Sequence, residues 1–223
     1  MALTTDLNKD SELLARMFQS VDTFNAAIGH KDTIDIRTTA QQEVIDLRKD
    51  LISEERQEIA EAENAEDVVG FVDGICDLNV VTMGAVSSIR QYNADSFLDT
   101  LDNFSLDNSY SLDDCVLQSS RENFLTSAAI AADKFLEMNR HSSRLNLENN
   151  FFEVMRSNMS KFAPDFIVAQ ETVVWYEQNK GFTPTIKECY SFESEFIGYG
   201  LYRHDGKMLK AMCFSPPEIK IGK

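Results

Sequence analysis

Five acidic side chains stand at spacings that suit cation chemistry. Ile52 to Ala62 reads ISEERQEIAEA, which puts Glu55 and Glu58 three residues apart and Glu54 and Glu58 four apart. Further on, Asp73 and Asp77 are four residues apart within VDGICDLNVVTMGAV, Val72 to Val86. Side chains at such spacings share one helix face, so two packed antiparallel helices would gather four or five carboxylates. At about 4 Å and an effective dielectric near 20, each like-charged pair costs on the order of 4 kcal/mol. The cluster must therefore take up protons or hold a cation. All-oxygen ligation suits a hard divalent ion, Mg²⁺ or else Mn²⁺, which can also bind substrate phosphates. The chemistry indicated is phosphate transfer or hydrolysis. Taken alone, the glutamates read more simply as a solvated helix end pairing with Arg48 and Arg56. The second acidic pair raises the metal reading, because buried aspartates are uncommon without a function.

Helices must position these groups. No proline precedes Pro164 and glycines are few before it, so the first three quarters of the chain read as mostly helical. Leu13, Leu14, Met17, Phe18, Val21 and Phe24 predict a helix over about 10–27 that Gly29 ends. Winding 44–62 at about 100° per residue puts Val44, Leu47, Leu51, Ile59 and Ala62 near one line. Arg48, Glu55 and Glu58 fall on that line and Glu54 at its edge, where an ionised carboxylate needs a cation or donors. After a loop near 62–66, a helix from Asp67 to about Tyr92 is apolar nearly all round and is expected to be surrounded by protein. Gly84 shares the side of Asp73 and Asp77 and leaves room for a close approach. The acidic stretch 91–114 reads as a surface loop or short helix. Further helices are expected over about 122–139, 149–162 and 166–179, the last closed by Gly181. The tail then alternates apolar and polar residues, and Asp205-Gly206 is a hairpin signal.

Composition narrows the classes. With 223 residues and 43% hydrophobic content the chain supports one substantial core. A formal net charge of −16 repels a polyphosphate backbone, so nucleic acid is not expected as a partner. Cys76, Cys115, Cys189 and Cys213 lack CxxC spacing, which suits reduced thiols rather than zinc. The longest charge-free stretch, 78–89, is too short to cross a bilayer. No membrane partner is expected, and the location expected is cytoplasmic.

EERQE (Glu54–Glu58), an acidic loop and the segment Val72–Val86 together resemble the MazG-like all-α nucleoside triphosphate pyrophosphohydrolases, whose core is EExxE followed by ExxD or a close variant. VDTFNAAIGHK (21–31), EVMRSNMSKF (153–162), YRHDGKMLK (202–210) and SPPEI (215–219) agree with phage and bacterial members, in the family's order. Two features depart from the pattern. An acid expected at position 74 is replaced by Gly74, with Asp73 making DxxxD instead, and the segment of about 96–147 is far longer than usual. The resemblance implies a mainly α fold, a MazG-like antiparallel helical bundle in a single domain over 1–223. Its core would span 10–93 and 149–180, with an inserted helical segment at about 96–147 and a C-terminal β-hairpin and extended tail at about 186–223.

By the same resemblance the protein would hydrolyse a nucleoside triphosphate, often a deoxynucleotide, to monophosphate and pyrophosphate, in a host cytoplasm if phage-encoded. Mg²⁺ would be held by Glu55, Glu58 and Asp77, with Asp73 or Glu54 as a further ligand or as the base orienting the attacking water. Asn158 and Lys161 are expected on the phosphates, the alternative being an exposed amide and a solvated lysine. Arg48 would meet phosphate or, preferably, form an ion pair with Glu55. Lys207 and Lys210 are candidates for closing over a triphosphate, though ordinary solvation is the simpler reading. Phe24 and Trp175 could stack on a base but read more simply as core. His30, His141 and His204 read as surface or loop residues. A homodimer built through helix contacts, or a higher homo-oligomer, is expected. The alternatives are phosphoribosyl-ATP hydrolysis and a catalytically silent interaction protein. A di-iron bundle would need Glu-x-x-His pairs, and the sequence has none.

Overall fold

The computed structural model describes residues 3–35, 42–103, 110–117, 123–204 and 206–222. The helices among them are α1 (Leu3–Ala27), α2 (Gln42–Asn64), α3 (Val68–Ser87), α4 (Ala94–Asn103), α5 (Asp113–Leu117), α6 (Phe124–His141), α7 (Leu147–Met159) and α8 (Phe166–Lys180). A single 3₁₀ turn, Ser143–Leu145, joins α6 to α7. Strands β1 (Thr185–Tyr190), β2 (Phe196–Tyr202) and β3 (Met208–Leu209) form one antiparallel sheet in that order. The protein is mainly helical with a small C-terminal sheet.

The α2–α3 hairpin is the framework of the site. Asp67 caps α3 by accepting hydrogen bonds from the N–H groups of Val69 (3.1 Å) and Gly70 (3.0 Å), which satisfies two of the helix's orphan donors. Ile45, Ile52 and Ile59, all buried, recur every seven residues along α2, the repeat that keeps one seam against a partner helix. Gly74 admits this seam: a Cβ there would stand 2.7 Å from Ile59 Cγ1. Farther along, Gly84 faces Arg48, whose Nη1 would be 3.2 Å from an added Cβ. Arg48 and Glu55 each follow a seam isoleucine by three residues, so the packing that buries the isoleucines draws both charges inward. The inward line expected through Leu47 and Leu51 is corrected here. Leu47 is 42% exposed, because the contact with α3 selects the isoleucine seam, one residue round the helix.

Around this hairpin, α3 packs against α1, α2, α6 and α7, as an all-round apolar helix requires. It ends at Ser87, short of Tyr92. The chain leaving it pairs with the segment after α1, where Ile34 N–H donates to Ser88 O (2.7 Å) and Arg90 N–H to Ile34 O (2.8 Å). The stretch read as surface loop or short helix contains α4, whose buried Phe97 stacks on Phe18 with ring centroids 4.9 Å apart. Helix α1 begins earlier than expected, at Leu3. The hairpin expected at Asp205-Gly206 joins β2 to β3; Asp205 itself lies outside the described residues, as do 36–41 in the polar connection and parts of the 91–114 stretch.

The tail clamps α7 in place. Arg156 donates to Pro216 O (3.0 Å), Glu218 N–H to Glu153 Oε1 (3.0 Å), and Lys220 N–H to Asn150 Oδ1 (2.9 Å). Residues of the β2–β3 turn, Arg203 and Lys207, line one cleft with residues of α2 and α3.

Candidate active site

Three of the acids are turned toward the interior of the hairpin. Glu55, Asp73 and Asp77 are half-buried, whereas Glu54 and Glu58 are exposed. Glu55 Oε2 and Asp73 Oδ1 are buried without a hydrogen-bond partner, an arrangement that native interiors rarely leave uncompensated. Burial pushes the Glu55 carboxyl up to about 8, and the charges of Asp77, Glu58, Asp73 and Glu54 add to the shift in that order. Asp77 is raised to about 7, first by burial and then by Asp73, against the opposing pull of Lys161. Asp73 is raised by burial and by Glu58. Each group therefore senses at least one of the other acids. Among the described residues no three Asp, Glu, His or Cys side chains are drawn together as a finished cation cage, and mutual repulsion is the physical reason for bare carboxylates to stand apart.

A cleft of about 410 Å³ opens beside them. Asp50, Glu54, Glu55 and Asp77 form its acidic wall; Asn158 and Lys161 come from the end of α7, and Arg203 and Lys207 from the β2–β3 turn. Lys161 Nζ donates to Asn158 Oδ1 (2.6 Å). Burial lowers the Lys161 pKa, while Asp77 and Glu55 pull it back up. Lys210 does not line the cleft; its ammonium lies 4.3 Å from the Phe214 ring centroid. Its charge nevertheless acts on Asp77 and Lys161. Glu58 and Asp73 flank the acidic wall without lining the cleft.

Arg48 does not pair with Glu55, contrary to the favoured expectation. Its guanidinium is 4% exposed, and Nη2 donates to Ser88 Oγ (2.7 Å) and Asn25 Oδ1 (3.4 Å). The register explains this, since Arg48 faces the Gly84–Ser88 end of α3, two turns from Asp77. His30, expected on the surface or in a loop, lies in the loop after α1 and lines the cleft. Gly29, at φ 76°, turns the chain after α1, and the following residues pin to the end of α3. Desolvation, then the Arg48 charge, lower its pKa to about 4. His204 and His141 are exposed, as expected. Phe24 lines the cleft and meets Phe162 edge to face, with ring centroids 5.9 Å apart. Trp175 packs on Tyr176 outside the cleft.

Sequence reasoning missed Asn25, His30 and Arg203. An amide one turn from Val21 on the apolar face of α1 was the available signal for Asn25. It also missed Asp22, buried and held by Ser87 Oγ (2.7 Å) and an ion pair with Lys31.

Residues 21–101, from α1 through α4 and including the whole α2–α3 hairpin, match the family model described as phosphoribosyl-ATP pyrophosphohydrolase. That family is one of the MazG-like all-α superfamily, and this segment, less than half of the chain, is similar to it. The match supports a pyrophosphohydrolase-type activity. No curated protein and no solved structure matches the chain. Asn158, Lys161, Arg203 and Lys207 all lie outside the matched residues, so the matched segment contributes the acids and Arg48 to the cleft while later elements contribute its other cations.

Proposed function

We propose that the protein is a Mg²⁺-dependent nucleoside triphosphate pyrophosphohydrolase that converts a (deoxy)nucleoside triphosphate and water into the monophosphate and pyrophosphate. The observation that carries this reading is the pair of buried, partnerless carboxylate oxygens on Glu55 and Asp73, with Glu55 and Asp77 lining a cleft that Lys161 also lines. Hard oxygen donors in excess of available protein cations fit Mg²⁺, with Mn²⁺ as the substitute. Glu55, Glu58, Asp73 and Asp77 would hold the ion. When bound, it would neutralise phosphate charge and lower the pKa of a water.

The protein's own groups do the rest. Glu54 or Asp73 orients the attacking water and accepts its proton as the water oxygen bonds to the α-phosphorus. The bond from that phosphorus to the bridging oxygen breaks, and pyrophosphate leaves. Lys161, held by Asn158, and Lys207 from the β2–β3 turn set cations where the leaving phosphates gather charge. Lys210 contributes at longer range. Phosphoribosyl-ATP is the second reading, favoured by the description of the matching family.

The test is a panel of canonical and modified nucleoside triphosphates, together with phosphoribosyl-ATP, incubated with Mg²⁺ while pyrophosphate and orthophosphate are followed separately. Pyrophosphate release is expected, falling roughly 100-fold or more in Glu58→Gln and Asp77→Asn, on the scale of losing one electrostatic contact to a transition state. Orthophosphate as sole product, or full activity in both variants, overturns the proposal.

A further inference from the structure

The cleft has a second polar end that the phosphate chemistry leaves unused. Arg48 lies seven residues before Glu55 on α2, about 10 Å along the axis at 1.5 Å per residue. The acids do not act on it: its pKa is lowered to about 10, by burial alone. Its Nε is buried without a partner, though the side chain lines the cleft. A desolvated guanidinium normally meets a carboxylate or a full set of acceptors.

Its neighbours hold it in one orientation. Ser88 Oγ accepts from Nη2 at 2.7 Å and itself donates to Gly84 O at 2.9 Å. Asn25 Nδ2 donates to Gly84 O at 2.8 Å, which leaves Oδ1 turned toward the guanidinium. Gly84 provides the space for the guanidinium. Between this end and the pair Glu55 and Asp77, the side chains of Phe24, Leu51, Val80 and Val81 face the cleft beside the exposed Asp50, an apolar surface suited to a flat ring.

We propose that Arg48, oriented by Ser88 and Asn25, reads the nucleobase, and that the site selects bases with a carbonyl oxygen at purine position 6 or pyrimidine position 4 over their amino counterparts. The inference rests on the nucleotide reading above and names the substrate class. Arginine matches the O6 and N7 acceptors of guanine with two donors. An exocyclic amino group in the same place turns hydrogens toward hydrogens and strands a buried donor, and sites built on hydrogen bonds reject such ligands strongly. His30 beside Arg48 stays uncharged above about pH 4 and adds no competing cation.

Two measurements test this on the full-length protein. The first compares kcat/KM for dGTP against dATP and for dUTP against dCTP. The second, independent of turnover, compares calorimetric binding of the four corresponding monophosphates without divalent metal. The carbonyl base is expected to win by about tenfold or more in each pair, equivalent to about 1.4 kcal/mol. Arg48→Met should bring each pair to within about threefold, the loss expected when one bidentate contact goes. Should that variant fail to fold, the wild-type comparison decides alone. Equal use of both bases, an amino preference, failure of all four monophosphates to bind, or a preference that survives Arg48→Met overturns the inference. Hydrolysis without base preference removes it and leaves the proposed function standing. Carbonyl-selective binding without hydrolysis does the reverse.

Discussion

Removing a charge from the acidic wall should make the metal-free protein more stable, the opposite of the usual outcome for a buried polar substitution. Glu55→Gln keeps the shape and deletes the charge. The Glu55 carboxyl is raised from 4.5 to about 8, so the folded protein binds this proton more tightly than the unfolded chain does. Below about pH 4.5 the group is protonated in both states and costs nothing; as pH rises through the folded value, stability is lost. At about 1.36 kcal/mol per pKa unit, the ceiling is roughly 5 kcal/mol. Partial exposure and relaxation of Asp73 and Asp77 share that cost, leaving about 2 kcal/mol as the expected gain in the variant at about pH 8. For a domain of this size this is a rise in melting temperature of about 4–8 °C. The assay is thermal unfolding with chelator present, at about pH 5 and about pH 8, followed by a Mg²⁺ titration. The gap should open with pH, and saturating Mg²⁺ should stabilise wild type more than the variant, because only a protein with its ligands intact gains from binding. A variant no more stable than wild type at the higher pH, or a gap independent of pH, would refute the account of these acids as a repelling cluster.

Two further outcomes follow from the packing. Gly74→Ala would place a Cβ 2.7 Å from Ile59 Cγ1, so overpacking of about 1–3 kcal/mol should outweigh the helix preference for alanine; urea unfolding that shows a net gain would contradict the close α2–α3 seam. The tail clamp should be acid-labile. Hydrogen bonds from Arg156 and from Glu218 N–H hold the Glu153 carboxyl down at about 2, so protection of the Glu218 amide should be full above the ordinary carboxyl pKa and lost as pH falls through the folded value. Exchange measured by NMR checks this, and loss of protection near pH 4.5, the ordinary value, would mean that the clamp does not form.

The helices were legible because their causes are local. Apolar spacing along α1, α3 and α6, the Asp67 cap and the Gly181 stop each lie within one turn of what they specify, and the acidic pairs follow from i,i+3 and i,i+4 spacing alone. Which face of α2 turns inward was not local. Leu47 and Ile45 are both apolar, and only the glycines of α3 decide that the isoleucine seam packs, with Arg48 and Glu55 drawn in behind it. The fate of Arg48 depended on the hairpin register, which sets it against Ser88 rather than Glu55. His30 and Arg203 reach the cleft because distant backbone pairings, Ile34 with Ser88 and β2 with β3, fold their segments over it. Residue type and spacing determine which groups can do chemistry; the long-range contacts, whose energies depend on what lies across the interface, determine which of them meet.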